Sequence, residues 1–125
     1  MNTVILYRPI DSKEFTLIEA SGWRQFTLPR LLAELILTPD EECAIRLARE
    51  WEVVRGAGFV TRFVAGAEFV SRYPVRTFGA RTDGPRYLPT YEEIWVPREE
   101  LAEFNRHIVG KIEVIHMFGK PTTVQ

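Results

Sequence analysis

Residues 91–118 constrain the fold more than any other part of the chain, because every local signal there agrees. Glu93-Ile94-Trp95-Val96 is a strand-length run of aromatic and β-branched residues. Pro97 follows at a point where a helix can start, since its missing N–H costs nothing at the first helical position. Glu99 and Glu100 fall in the first turn of that helix and Arg106 and His107 in its last, the charge order a helix dipole favours. Leu101, Phe104 and Ile108 recur at helical spacing, and Gly110 stands where the helix must stop. From Lys111 to Phe118 the pattern alternates. Ile112, Val114, His116 and Phe118 share one face, and Ile115 and Met117 share the other. With few polar residues on either face, an interior strand is expected. The stretch therefore reads as strand–helix–strand.

The remaining elements follow from caps and periodicity. Thr3 to Arg8 reads as a strand ended by Pro9, and its near-continuous apolar run predicts a central position. Asp11-Ser12-Lys13-Glu14 matches a capping box for a helix that buries Phe15 and Ile18, with Leu17 beside them, and ends at Gly22. Residues 23–30 read as loop, with Trp23 and Phe26 pinned to the core. Glu34 to Leu37 fits either a short strand or the tail of a helical turn. Thr38-Pro39-Asp40-Glu41 then predicts the longest helix, with Thr38 as N-cap, Pro39 at N1 and Glu41 at N3. Its apolar stripe is Ala44, Leu47, Ala48, Trp51 and Val54, and Arg55-Gly56 closes it. Phe59 to Val64 alternates as a strand, with Phe59, Thr61 and Phe63 facing away from Val60, Arg62 and Val64. Ala67 to Arg72 makes a helical turn, and Val75 to Phe78 a brief strand. Residues 79–90 carry Gly79, Asp83-Gly84-Pro85 and Pro89, so a loop is expected there. A loop of about twelve residues is long enough to serve as a lid, with Arg81 and Arg86 closing on a bound anion. Together these predict one α+β domain over residues 1–125. Thr3–Arg8, Phe59–Val64 and Lys111–Phe118 should lie in its sheet.

The totals narrow the function classes. At 125 residues the chain can bury a core without disulfides or metal. A formal charge of −1 exerts no global pull toward nucleic acid or anionic membrane. Thirteen Arg stand against three Lys, a ratio that suits bidentate anion contacts and that coding bias produces equally well. Cys43 is the only cysteine, which excludes an intrachain disulfide; inside a helix it reads as a small core residue. No apolar run reaches the length of a membrane span, so a soluble, cytoplasmic protein is expected. Gly56-Ala57-Gly58 follows a helix, not a strand, and lacks the spacing of a phosphate loop. His107 and His116 have no partnering cysteines, which argues against zinc. His107 reads as a helix C-terminal cation and His116 as a satisfied sheet residue. Ser12, Ser21 and Ser71 lie in capping or helical contexts.

Two features remain. Arg8, beside Tyr7, ends a buried-looking strand where its side chain can reach a cleft. If Ile94 and Val96 face the core, then Tyr91, Glu93 and Trp95 share the opposite face. A carboxylate between two aromatics suggests a sugar or nucleoside site; equally, Glu93 can pair with an exposed Arg on a solvated sheet face.

Several segments carry a resemblance. Leu6-Tyr7-Arg8-Pro9, Ser21-Gly22-Trp23 after a capped helix, and Gly58-Phe59-Val60-Thr61-Arg62-Phe63 look like a set of small bacterial proteins. The likeness continues through Glu93-Ile94-Trp95-Val96-Pro97 and residues 101–110. Those proteins often carry an "ADP-ribosylation/crystallin" label. The order of elements is similar to the ADP-ribosyltransferase core, which implies a split, mostly antiparallel sheet with flanking helices. That family carries Arg or His on its first strand, Ser, Thr or Tyr on a middle strand and Glu on a late one. Arg8 matches the first position and Glu93 the third. Thr61 or Thr38 stands nearest the second, outside the family's motif. Tyr91 occupies the place, two residues before the glutamate, where arginine-directed members have Gln or Glu.

The resemblance implies NAD as substrate and leaves the acceptor open, a protein acceptor or partner being one candidate. Breaking the nicotinamide–ribose bond develops oxocarbenium-like charge on the sugar. Glu93 would stabilise that charge as the catalytic carboxylate. Arg8 would hold the pyrophosphate. Tyr7, Thr61, Tyr91, Trp95, Arg81 and Arg86 would complete the cofactor site. Three function classes follow: an NAD-dependent ADP-ribosyltransferase, a catalytically silent nucleotide-binding module on the same scaffold, and a protein-interaction domain whose partner packs on the aromatic sheet face.

Overall fold

The computed structural model describes residues 2–78 and 91–120. In chain order the elements are β1 (Thr3–Ile10), α1 (Ser12–Ala20), β2 (Glu34–Leu37), α2 (Glu41–Arg55), β3 (Ala57–Gly66), α3 (Ala67–Val70), β4 (Val75–Phe78) and β5 (Tyr91–Pro97). A single 3-10 turn (Arg98–Glu100), α4 (Leu101–Arg106) and β6 (Ile108–Gly119) complete them. The fold class is α+β, as expected. The expected lid over residues 79–90, with Arg81 and Arg86, lies outside the described residues.

Among the described residues the strands form two antiparallel sheets of three, in the lateral orders β1–β3–β6 and β2–β5–β4. Among the same described residues the sheets meet at one backbone bridge. Tyr7 N–H donates to the Thr38 carbonyl at 2.8 Å, and Thr38 N–H donates to the Tyr7 carbonyl at 3.0 Å. Backbone groups alternate sides along a strand, so the imide nitrogen of Pro9 also points toward the split and no ladder donor is lost against β3. This is why β1 runs through Pro9 to Ile10 and does not stop at Arg8.

Both sheets turn one face to a common core. Leu6, Ile10, Phe59, Phe63 and Ile112 contribute from the first sheet, and Leu35, Leu37, Ile94 and Val96 from the second. Ile18 of α1, Phe26, Phe69 and Phe104 close it. Helix α2 covers the other face of the first sheet, where Ala44 and Ala48 pack on Val60 with Tyr7, Ile45, Ile115 and Phe118 around them. The approach is close. A Cβ on Gly58 would sit 1.8 Å from the backbone oxygen of Ala48, so only glycine lets the helix lie this near β3.

Four expectations about local structure are corrected. Helix α2 begins at Glu41, and its N-cap is Asp40, whose carboxylate accepts from the Glu42 and Cys43 N–H groups. Thr38 instead accepts from Asp40 N–H and belongs to the bridge. The buried stripe of α2 is Cys43, Ala44 and Ala48; Trp51 is half-buried and Val54 exposed. Helix α4 ends at Arg106, and Gly110, with φ 77°, lies within β6. Strand β6 is an edge strand, not an interior one, and two register shifts against β3 interrupt its alternation. Ile112 and Val114 therefore face the main core while Ile115 and Phe118 face α2.

Candidate functional site

The outer face of the second sheet is built by register. Antiparallel pairing sets Arg76 opposite Glu93, Phe78 opposite Tyr91 and Ile36 opposite Trp95. Because Ile94 and Val96 are buried in the core, Tyr91, Glu93 and Trp95 point the other way and are half-buried, the alternation expected from the sequence. Phe78 stacks on Tyr91 with ring centroids 5.3 Å apart and lies nearly parallel to Trp95 at 6.4 Å. Trp95 Nε1–H donates to Glu93 Oε1 at 3.0 Å, which fixes the carboxylate beside the indole. The Arg76 guanidinium carbon lies 4.0 Å from the centroid of the Trp95 ring. Among the described residues this face thus presents three aromatic rings, one oriented carboxylate and a cation over the Trp95 ring.

Glu93 also acts on the first turn of α2. Burial, and then the carboxylates of Asp40 and Glu93, push the Cys43 thiol up to about 11, against a hydrogen bond from Thr38 and the Arg46 charge. Cys43 is therefore a neutral thiol at physiological pH and a poor nucleophile, in keeping with its reading as a core residue. Tyr73 shifts the same way, to about 12, through burial and its 2.9 Å hydrogen bond to Glu100. Both groups bind their proton more tightly folded than unfolded, so their stabilisation is complete below pH 9 and is lost as pH rises through 11 and 12. The urea midpoint should accordingly hold steady from pH 7 to 9 and fall between pH 9 and 12. In Cys43→Ala the fall should begin about one unit higher, where tyrosines first ionise. A midpoint flat to pH 11 in the parent chain would contradict this environment for both groups.

The other expected site residues do not join this face. Arg8 shares its strand face with Leu6 and Ile10 and so points into the main core, whereas Glu93 lies on the outer face of the second sheet. It is 7% exposed, and its Nε and NH2 groups donate to the two carboxylate oxygens of Glu14 at 2.6 and 2.8 Å, while NH1 donates to the Ile36 carbonyl at 2.9 Å. The expectation that Arg8 and Glu93 line one cleft is therefore corrected: Arg8 is an internal ion pair that stitches the split between β1 and β2. Thr61 is fully buried and donates to the Arg8 carbonyl at 2.8 Å, so it faces no ligand. Tyr7 packs beneath α2. The residue that sequence reasoning missed is Arg76. Its strand was legible, but its place opposite Glu93 depends on a register set across residues 79–90.

A second concavity of about 750 Å³ lies where β3, α3 and the end of α4 meet, lined by Asn2, Glu68, Phe69, Arg72 and His107 among others. Three of its side chains are already engaged with one another or with the backbone. Phe69 stacks on His107 at 3.7 Å, Arg72 lies 4.4 Å from the Phe69 centroid, and His107 Nδ1–H donates to the Glu103 carbonyl. His107 stands at the C-cap of α4, the helix-end position expected for it. His116 Nε2 lies 2.9 Å from Glu41 Oε2, the satisfied sheet histidine expected. Among the described residues no three His, Cys, Asp or Glu side chains group as metal ligands, and no helix is long and apolar enough to cross a membrane. No protein-family model matches the chain, and no curated protein or solved structure matches it either.

Proposed function

We propose that this chain is an NAD-class nucleotide-binding module on an ADP-ribosyltransferase-like scaffold, with its ligand on the outer face of the second sheet. Two antiparallel sheets joined by one bridge support the scaffold reading, since a split sheet is what the family resemblance implies. The observation that carries the ligand reading is Glu93, held by the Trp95 indole among three aromatic rings. Such rings offer stacking surface for a base or nicotinamide, and an ionised carboxylate accepts from two ribose hydroxyls at once. The same carboxylate is the group that would stabilise positive charge on the ribose in a transferase. Arg8, spent on Glu14, supplies no cation to a pyrophosphate, and Thr61 supplies no hydroxyl; this favours the binding module over an active transferase. A protein that receives ADP-ribose is required only on the transferase reading.

Isothermal titration with NAD tests the proposal. The unmodified chain should bind saturably, and Trp95→Ala should weaken binding about 5- to 150-fold, the range for losing one base–aromatic stack of 1–3 kcal/mol. Glu93→Gln should weaken it by a smaller factor, and nicotinamide should not accumulate during incubation. Absence of saturable binding at millimolar NAD would overturn the proposal and leave the aromatic face to a protein partner. Nicotinamide release that disappears in Glu93→Gln would replace it with the transferase reading.

A further inference from the structure

We infer that Arg76 is the anion-binding residue of the outer sheet face, and that the site therefore takes phosphorylated nucleotides in preference to nucleosides. This rests on the nucleotide reading above and names the group that reading lacks, since Arg8 is buried and committed. Three observations place Arg76 in the role. Its Cα lies in register opposite Glu93, so cation and carboxylate project from neighbouring strands onto the same face. Its guanidinium carbon lies over the Trp95 ring, 4.0 Å from the centroid, a cation–π contact, and the guanidinium fork is the group that meets an oxyanion bidentately. It is exposed, and among the described residues it forms no ion pair, whereas Arg8, Arg55, Arg62 and Arg106 each face a carboxylate.

The chemistry of the pair selects the ligand. A simple dianion would meet Arg76 but be repelled by Glu93 close by. A ribosyl phosphate satisfies both, with its hydroxyl donors on Glu93 and its phosphate oxygens on Arg76. Its attached base then lies within reach of the Trp95, Phe78 and Tyr91 rings. The complementarity is that of a sugar flanked by a planar ring on one side and a negative charge on the other.

Titration of the full chain with AMP, adenosine, inorganic pyrophosphate and NAD, in the parent, Arg76→Gln and Arg76→Lys forms, tests the assignment. The parent should bind AMP about tenfold or more tighter than adenosine, the scale of one charge-assisted contact. Arg76→Gln should abolish that preference while leaving adenosine within about twofold of the parent value. Arg76→Lys should restore part of it, since the charge returns without the planar fork. Because Arg76 is exposed, circular dichroism melting of each variant serves as the folding control. Equal affinity for AMP and adenosine in the parent, or AMP binding unchanged in Arg76→Gln, would overturn the assignment while nucleotide binding itself stood. Pyrophosphate binding lost in Arg76→Gln, with no NAD binding in the parent, would support the anion site and remove the nucleotide reading. Binding of none of the four probes would overturn both.

Discussion

Arg8→Met should destabilise the protein by about 3–5 kcal/mol, the loss expected when one partner of a buried ion pair is removed and its mate is left uncompensated. Glu14 is only 5% exposed and receives both hydrogen bonds from the same guanidinium. Once Arg8 is gone, nothing else shown bonds to that carboxylate. The Ile36 carbonyl on the split edge of β2 loses its donor at the same time. The double variant Arg8→Met/Glu14→Leu should recover more than half of the loss, because replacing both charges by apolar groups removes the desolvation penalty that either single change exposes. Urea denaturation of the two single variants and the double would form the cycle. A single-variant loss below about 1 kcal/mol would show that the pair is solvated and contributes as a surface bridge does. NAD binding should survive in Arg8→Met at temperatures where it stays folded, because Arg8 does not reach the outer sheet face.

Arg8 also shows where sequence reasoning stops. The strand, the capping box and Glu14 at its third position were all legible, and Asp11 does accept from Glu14 N–H at 2.9 Å. A capping box, however, assigns the glutamate side chain to the helix start, whereas here it turns to Arg8 six residues earlier. Only the path of the chain from β1 into α1 brings the two together, and no spacing rule encodes that turn. The outer face was legible for a different reason. Strand alternation depends on nothing beyond the strand itself, so Tyr91, Glu93 and Trp95 fell on one side as the pattern required. Arg76 was not legible as their neighbour, because pairing across a long connection is a tertiary fact. Strand β6 fails in a third way. The register shift between Val60 and Thr61 sets one extra residue of β6 against β3 and so exchanges faces, and a period-2 reading begun at Lys111 assigns Phe118 to the wrong side. Its apolar composition reflects contact with two separate clusters, not a place inside the sheet.

Phe63→Ala should cost about 3–5 kcal/mol, because it removes a fully enclosed ring from the place where distant parts of the chain meet. Phe63 lies on β3, the middle strand of the first sheet. Its ring sits 4.9 Å from Phe26, in the segment after α1, and 6.0 Å from Phe104 on α4, edge-on to both. Phe104 in turn lies 6.3 Å from Phe69 and from Tyr73. The rings thus connect β3, α3, α4 and the 23–30 segment, which Asn105 also fastens through hydrogen bonds to the Phe26 N–H and carbonyl. Two terms add on truncation: the transfer free energy of the lost ring, and the cavity that these neighbours are too constrained to fill. Phe63→Leu, which keeps most of the volume, should cost less than half as much. Thermal unfolding of both variants, with near-ultraviolet circular dichroism to follow the aromatic cluster, gives the comparison. Equal losses for Ala and Leu would point to the edge-on ring contacts as the stabilising term. A larger loss for Ala would assign it to the cavity, and a loss below 1 kcal/mol in both would mean the two sheets do not share the core through Phe63.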